Sequence, residues 1–153
     1  KSIIPENVWM EFSELGFQGL DITRLEIWQI TLDLILKRPL IGYGASTFSF
    51  IFLSESNLWK GHSHNLPLEI AFSFGIPTAI IICITIIFIL LLAFRKTFMQ
   101  GDRKNEYFFY EKAWVSSLIV LILSQLVDIQ YFDGRISLAF WILLAGSRNI
   151  ISE

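Results

Sequence analysis

A chain of 153 residues that is 54% apolar and 15% aromatic, with a net charge of −2, has the composition of a membrane protein rather than of one soluble domain. Its basic residues are scattered, without the aromatic-interleaved stripe of a nucleic-acid binder, so no nucleic-acid partner is expected. The single cysteine, Cys83, lies inside an apolar run, can form neither an intrachain disulfide nor a cysteine metal cluster, and is read as packing.

The opening KSIIPENVW lacks the basic segment and short apolar core of a signal peptide, and the chain is read as a piece of a longer protein. Residues 1–65 carry large apolar side chains throughout and are expected to form a structured extracytoplasmic loop region. Within it Asp21 or Thr23 can cap a helix through LEIWQITLDLILK, where Leu25, Trp28, Leu32 and Ile35 recur at helical spacing; Pro39 ends it. LIGYGASTFSFIF follows, with Gly42 and Gly44 permitting a tight turn before a second, partly apolar helix.

From Ile76 to Phe94 there is no charge over 19 residues. A helix of that length rises about 28 Å and reads as a transmembrane span. It is expected to begin near Leu66 or Pro67 and to be kinked by Pro77. A second span is expected over 113–131, where Ser116, Ser117, Ser124, Gln125 and Asp128 should face other helices rather than lipid. A third apolar stretch, 136–145, is short and would need Ser147 and the residues beyond it. The domain reading is therefore 1–65 outside, followed by spans at about 66–94, 113–131 and 135–150. Arg95, Lys96, Arg103, Lys104 and Lys112 make the first connecting loop cytoplasmic by the positive-inside rule. The fold class is all-α, a polytopic membrane protein.

The chemistry-bearing segment is GHSHNLPLEIAFSFGIP, residues 61–77, which holds both histidines at the mouth of the apolar run. Residues at i and i+2 share a side only in an extended segment, so one of His62 and His64 is expected to work and the other to be its neighbour. The ordinary role of such a histidine is an interfacial polar residue. Two histidines leave a zinc site short of ligands, with only Glu55 and Glu69 near in sequence, so neither metal nor cofactor is expected. Gly42-Tyr-Gly44 lacks the remaining residues of a P-loop or dinucleotide fingerprint. Arg24 would ordinarily be a solvated helix residue, whereas Asp128, an acid inside a span, is a functional suspect by position.

Taken as an ordered set, Arg24-Leu-Glu-Ile-Trp28, Arg38-Pro39-Leu-Ile-Gly42-Tyr-Gly44, His62-Ser-His64-Asn65 and Gly75-Ile76 at the head of an apolar helix resemble the O-antigen ligase and polymerase family of bacterial envelope glycosyltransferases. Ten residues separate His64 from Gly75, similar to that family's His-(x10)-Gly pattern, while its Arg-(x3)-Leu pattern is met in part, with Trp28 in the leucine position. The resemblance covers residue 21 to about residue 94, with the later spans agreeing in topology only. It implies the C-terminal part of a multi-pass C-type glycosyltransferase of the bacterial inner (cytoplasmic) membrane, with its site facing the periplasm. It also implies an undecaprenyl-diphosphate-linked glycan as donor and a hydroxyl of an acceptor glycan or lipid A core as acceptor, with no nucleotide or metal at the transfer step.

A sugar hydroxyl is a poor nucleophile near neutral pH, and an imidazole within hydrogen-bond reach can take its proton; His64 is the choice for that base. The leaving lipid diphosphate gains negative charge, which a guanidinium can stabilise by paired hydrogen bonds; Arg24 is the choice there. Asn65, His62, Arg38 and Asp128 complete the expected substrate-binding set, and Trp28 is read as packing its helix. The acceptor separates a ligase from a polymerase or a protein O-oligosaccharyltransferase. A different class, a transporter or structural membrane fragment with Asp128, Arg135 and the histidines as a polar pathway, predicts polar residues on several spans, and the first span is almost wholly apolar.

Overall fold

The computed structural model describes residues 22–100 and 107–152; Asp21 and the Arg103–Lys104 part of the basic loop lie outside the described residues. The described residues form helices and no strand: α1 (Arg24–Lys37), α2 (Phe48–Ser56), α3 (Leu66–Phe74), α4 (Ile76–Phe94) prolonged by a π-helical turn (Arg95–Met99), α5 (Phe108–Ser124) and α6 (Gly134–Ser152). The architecture is all-α.

Thr23 starts α1 through a capping box. Its hydroxyl accepts the Glu26 N–H at 3.3 Å while the Glu26 carboxylate accepts the Thr23 N–H at 2.7 Å. The buried face is Ile27, Thr31, Leu34 and Ile35, not the expected stripe, since Leu25 and Leu32 are exposed. Apolar residues occupy most of the circumference of this helix, so its periodicity does not select one face. Tertiary contacts with α2 and α3 do.

The loop from Arg38 to Gly44 crosses the junction of α3 and α4 and is stitched to it by backbone bonds. Tyr43 N–H donates to Phe72 O (2.8 Å), Gly44 N–H to Ser73 O (2.9 Å) and Ile76 N–H to Pro39 O (2.7 Å). The approach is close enough that a Cβ on Gly42 would overlap the Phe72 carbonyl and one on Gly75 the Leu40 carbonyl; both glycines have positive φ, +67° and +87°. The expected continuous span from 66 to 94 therefore breaks at Gly75, not at Pro77. Pro77 sits in the first turn of α4, where a missing N–H leaves no bond unmade. Tyr43 stacks on Phe72 at 4.9 Å and Phe48 meets it edge-on at 5.0 Å, in a core completed by Ile27, Leu34, Ile35 and Phe52.

Ile76–Met99, 24 residues, is the one described helix long and apolar enough to cross a membrane. It rises about 36 Å, more than the roughly 30 Å hydrocarbon core. Ile80, Ile84, Ile87, Phe88 and Leu91 on it are exposed. α5 and α6 pack on α4 and on each other around buried Leu118, Phe140 and Leu144, and the Trp114 indole N–H donates to Leu143 O at 2.9 Å. α6 does extend through Ser147, to Ser152.

α5 ends at Ser124, short of the expected 131. The Gln125 side-chain oxygen accepts the N–H groups of Gln130 (3.1 Å) and Tyr131 (3.2 Å), and Ser124 Oγ donates back to Leu121 O. Side chains that satisfy the backbone in this way offer it an alternative to the helical ladder. Asp128 consequently stands in the turns after α5, not within a helix.

Candidate functional site

The segment between α2 and α3 is fixed at its end by Asn65, the N-cap of α3. Its Oδ1 accepts the Leu68 N–H at 3.0 Å and its Nδ2 donates to Leu126 O at 2.9 Å. Leu66 N–H donates to Gln125 O at 2.9 Å. These bonds hold the histidine loop against the α5–α6 turn, and His64 Nδ1 lies 3.0 Å from Asp128 Oδ1. Asn65, expected on substrate, has both ends of its amide occupied in joining these segments.

His64 has φ +54°, a left-handed conformation uncommon for a side-chain-bearing residue. With that reversal the two rings come together in a segment that is neither strand nor helix. The His62 and His64 rings meet edge to face at 4.3 Å, and His64 N–H donates to His62 Nδ1 at 3.3 Å. Burial, then the neighbouring His64, holds protonation of His62 below the ordinary imidazole range. The hydrogen bond with His64 holds the Asp128 carboxyl below its ordinary range against a desolvation effect, with the charge of Arg24 adding in the same direction. An ionised carboxylate only accepts hydrogen bonds, so the donor in this contact is His64 Nδ1–H.

Arg24, the first residue of α1, is exposed, and its charge acts on Asp128. The fold thus brings His62, His64 and Asp128 together from two separate segments, with the charge of Arg24 felt at Asp128. Arg38 is not with them. It caps the other end of α1, about 20 Å away along the helix, with its guanidinium 4.9 Å above the Tyr43 ring.

Sequence reasoning missed the supports of the loop. The Trp28 indole N–H donates to Ser63 O at 2.9 Å, and Glu69 Oε2 accepts the Ser63 N–H at 2.9 Å; Ser63 and Glu69 are both buried. Trp28 is therefore more than a packing residue. The signal was its place one turn after Arg24, on the same face of α1. His62, His64 and Asp128 also offer ligand atoms within 4.8 Å of one another and could together hold a metal ion, Asp128 being the third ligand that sequence spacing did not reveal. Leu66, Pro67, Cys83, Ile87, Ile122 and Leu126 line an apolar cavity of about 200 Å³ adjoining the Asn65–Leu126 contact.

A family model described as O-antigen ligase matches residues 7–83, half of the chain, and takes in Arg24, Arg38, both histidines and Asn65. The chain belongs to the O-antigen ligase family. Membership makes it, at a coarse level, a membrane glycosyltransferase-like protein of polysaccharide synthesis. No curated protein and no solved structure matches it. In this O-antigen ligase family member Asp128 lies beyond the matched residues, and the fold brings it to His64 across a separation of 64 residues.

Proposed function

We propose that this chain transfers a glycan from an undecaprenyl-diphosphate-linked donor to an acceptor hydroxyl at the periplasmic face of the bacterial inner membrane, as an O-antigen ligase or polymerase does, with His64 as the general base. The observation that carries the reading is the 3.0 Å contact of His64 Nδ1 with Asp128 Oδ1. Asp128 fixes the ring and its tautomer, and Nε2 accepts the acceptor's proton as the acceptor oxygen bonds to the anomeric carbon. The bond from that carbon to the diphosphate oxygen breaks, and the diphosphate leaves with the electron pair. Arg24 stabilises the charge gathered there. His62, held neutral, bounds the other side of His64.

The apolar cavity beside the Asn65–Leu126 contact suits the hydrocarbon chain of such a donor. Orientation supports the same reading, since the positive-inside rule puts the histidine loop on the outer face, with three spans at α3–α4, α5 and α6. The test is transfer of lipid-linked glycan by the full-length protein in membranes from cells lacking their own ligase and polymerase. Transfer by the parent and none by His64→Ala at equal abundance is expected; equal transfer by both would reject His64 as the base.

A further inference from the structure

We propose that Trp28 and Glu69 are positioning residues that grip the peptide groups on either side of Ser63, force the following residue into the left-handed conformation, and so turn the His64 ring onto Asp128. Every polar group of Ser63 is engaged. Its N–H donates to Glu69 Oε2 (2.9 Å), its carbonyl accepts from Trp28 Nε1 (2.9 Å), and its hydroxyl donates to Asn65 O (3.0 Å), while the residue is fully buried. Immediately after this clamped residue comes His64 at φ +54°. A left-handed backbone at a non-glycine residue persists only where its surroundings over-determine it. Here the surroundings are two helices pulling on one residue, α1 through Trp28 and α3 through Glu69.

The clamp also links the two charged ends of the site. Trp28 lies one turn beyond Arg24 on α1, so the bond to Ser63 that fixes the loop also fixes where the Arg24 end of the helix lies relative to His64 and Asp128. Glu69 lies one turn into α3 from its cap Asn65, inside the protein, with Ser63 N–H as a hydrogen-bond partner.

The kinetic arm of the test rests on the transferase reading, and the chemical arm does not. Trp28→Phe keeps the ring and removes the N–H; Glu69→Leu removes the acceptor; Glu69→Gln restores an acceptor oxygen. In the full-length protein in native membranes, Trp28→Phe and Glu69→Leu should each lower kcat by about ten- to a hundredfold, the cost of a slightly misplaced base, with KM for the lipid-linked donor little changed. Glu69→Gln should recover most of the Glu69→Leu loss. Independently of any activity, diethyl pyrocarbonate should carbethoxylate His64, mapped by mass spectrometry, several times faster in Trp28→Phe and Glu69→Leu than in the parent, and Asp128→Asn should show the same acceleration. An inactive parent with this labelling pattern would sink the transferase reading and leave the clamp standing. Parental His64 labelling in both Trp28→Phe and Glu69→Leu, or a fall in abundance with kcat unchanged, would overturn the clamp.

Discussion

His64 and Asp128 come from loops 64 residues apart and meet with Nδ1 and Oδ1 at 3.0 Å, because Asn65 and Leu66, which follow the histidine, are hydrogen-bonded to Leu126 and Gln125, which precede the aspartate. The contact is half exposed, so its Coulomb energy is screened and its contribution to stability is small. Its value is orientation. Asp128→Asn should accordingly leave thermal stability within about 1 kcal/mol of the parent while reducing transfer severely, a combination that melting and kinetics on one preparation would check.

Arg24 and Arg38 should separate cleanly. Arg24→Ala is expected to reduce turnover on the order of a hundredfold, the usual cost of removing one group that stabilises developing charge, with Arg24→Lys intermediate because lysine loses the paired geometry. Arg38→Ala removes a stack on Tyr43 far from the histidines and should leave turnover close to parental. Transfer rates at saturating donor decide it, and equal losses for the two would show that Arg24 is not the diphosphate ligand.

The glycine at the α3–α4 break should be irreplaceable for two reasons at once. Gly75→Ala meets a positive φ and an overlap with the Leu40 carbonyl, and should cost more than about 2 kcal/mol of stability, as strained backbone sites do. Gly42→Ala should behave alike. Gly134→Ala, at the start of α6 with open space around it, should be neutral or slightly stabilising. Melting temperatures of the three purified variants provide the comparison.

Acid should weaken the fold in two separate windows. Protonation of His62 is held low, so as pH falls through the ordinary imidazole value of about 6.5 the unfolded chain takes up a proton that the folded one does not, and stability drops until His62 itself titrates. Asp128 is held low in the opposite sense. Its ionised form favours the fold at neutral pH, and that contribution is lost only as pH falls below the ordinary carboxylate range. His62→Gln should flatten the upper window alone, which melting curves across that range would show.

Orientation has its own check. In a Cys83→Ser background, a cysteine at Ser54 should react with an impermeant maleimide added outside the cell, and one at Gln100, beyond the other end of the long apolar helix, should not. The reverse pattern would place the histidine loop in the cytoplasm, away from a flipped lipid-linked donor.

Much of this was legible where local chemistry decides. Thr23 as a cap of α1, Pro39 after it, the Gly42–Gly44 turn and the apolar run from Ile76 follow from capping, ring closure and span length, which act over a few residues. What was misread depends on partners distant in sequence. The buried face of α1 is chosen by α2 and α3 because leucines and isoleucines surround that helix. The end of α5 is set by Gln125 capturing the backbone of residues 130 and 131, so Asp128 looked like an acid within a span. The union of the two histidine rings depends on a left-handed residue braced by Trp28 and Glu69, neither of which the His-x-His spacing reveals.

The measurement that bears most directly on the His64–Asp128 pair is a double-mutant cycle on the rate of glycan transfer by the full-length protein, with His64→Ala, Asp128→Ala and the two combined, compared at equal membrane abundance. If Asp128 acts by holding His64 as the base, the losses are strongly non-additive, and adding Asp128→Ala to His64→Ala costs almost nothing further. Losses that multiply, each substitution reducing the rate by the same factor whether or not the other is present, would mean that the two residues act independently and would contradict the account.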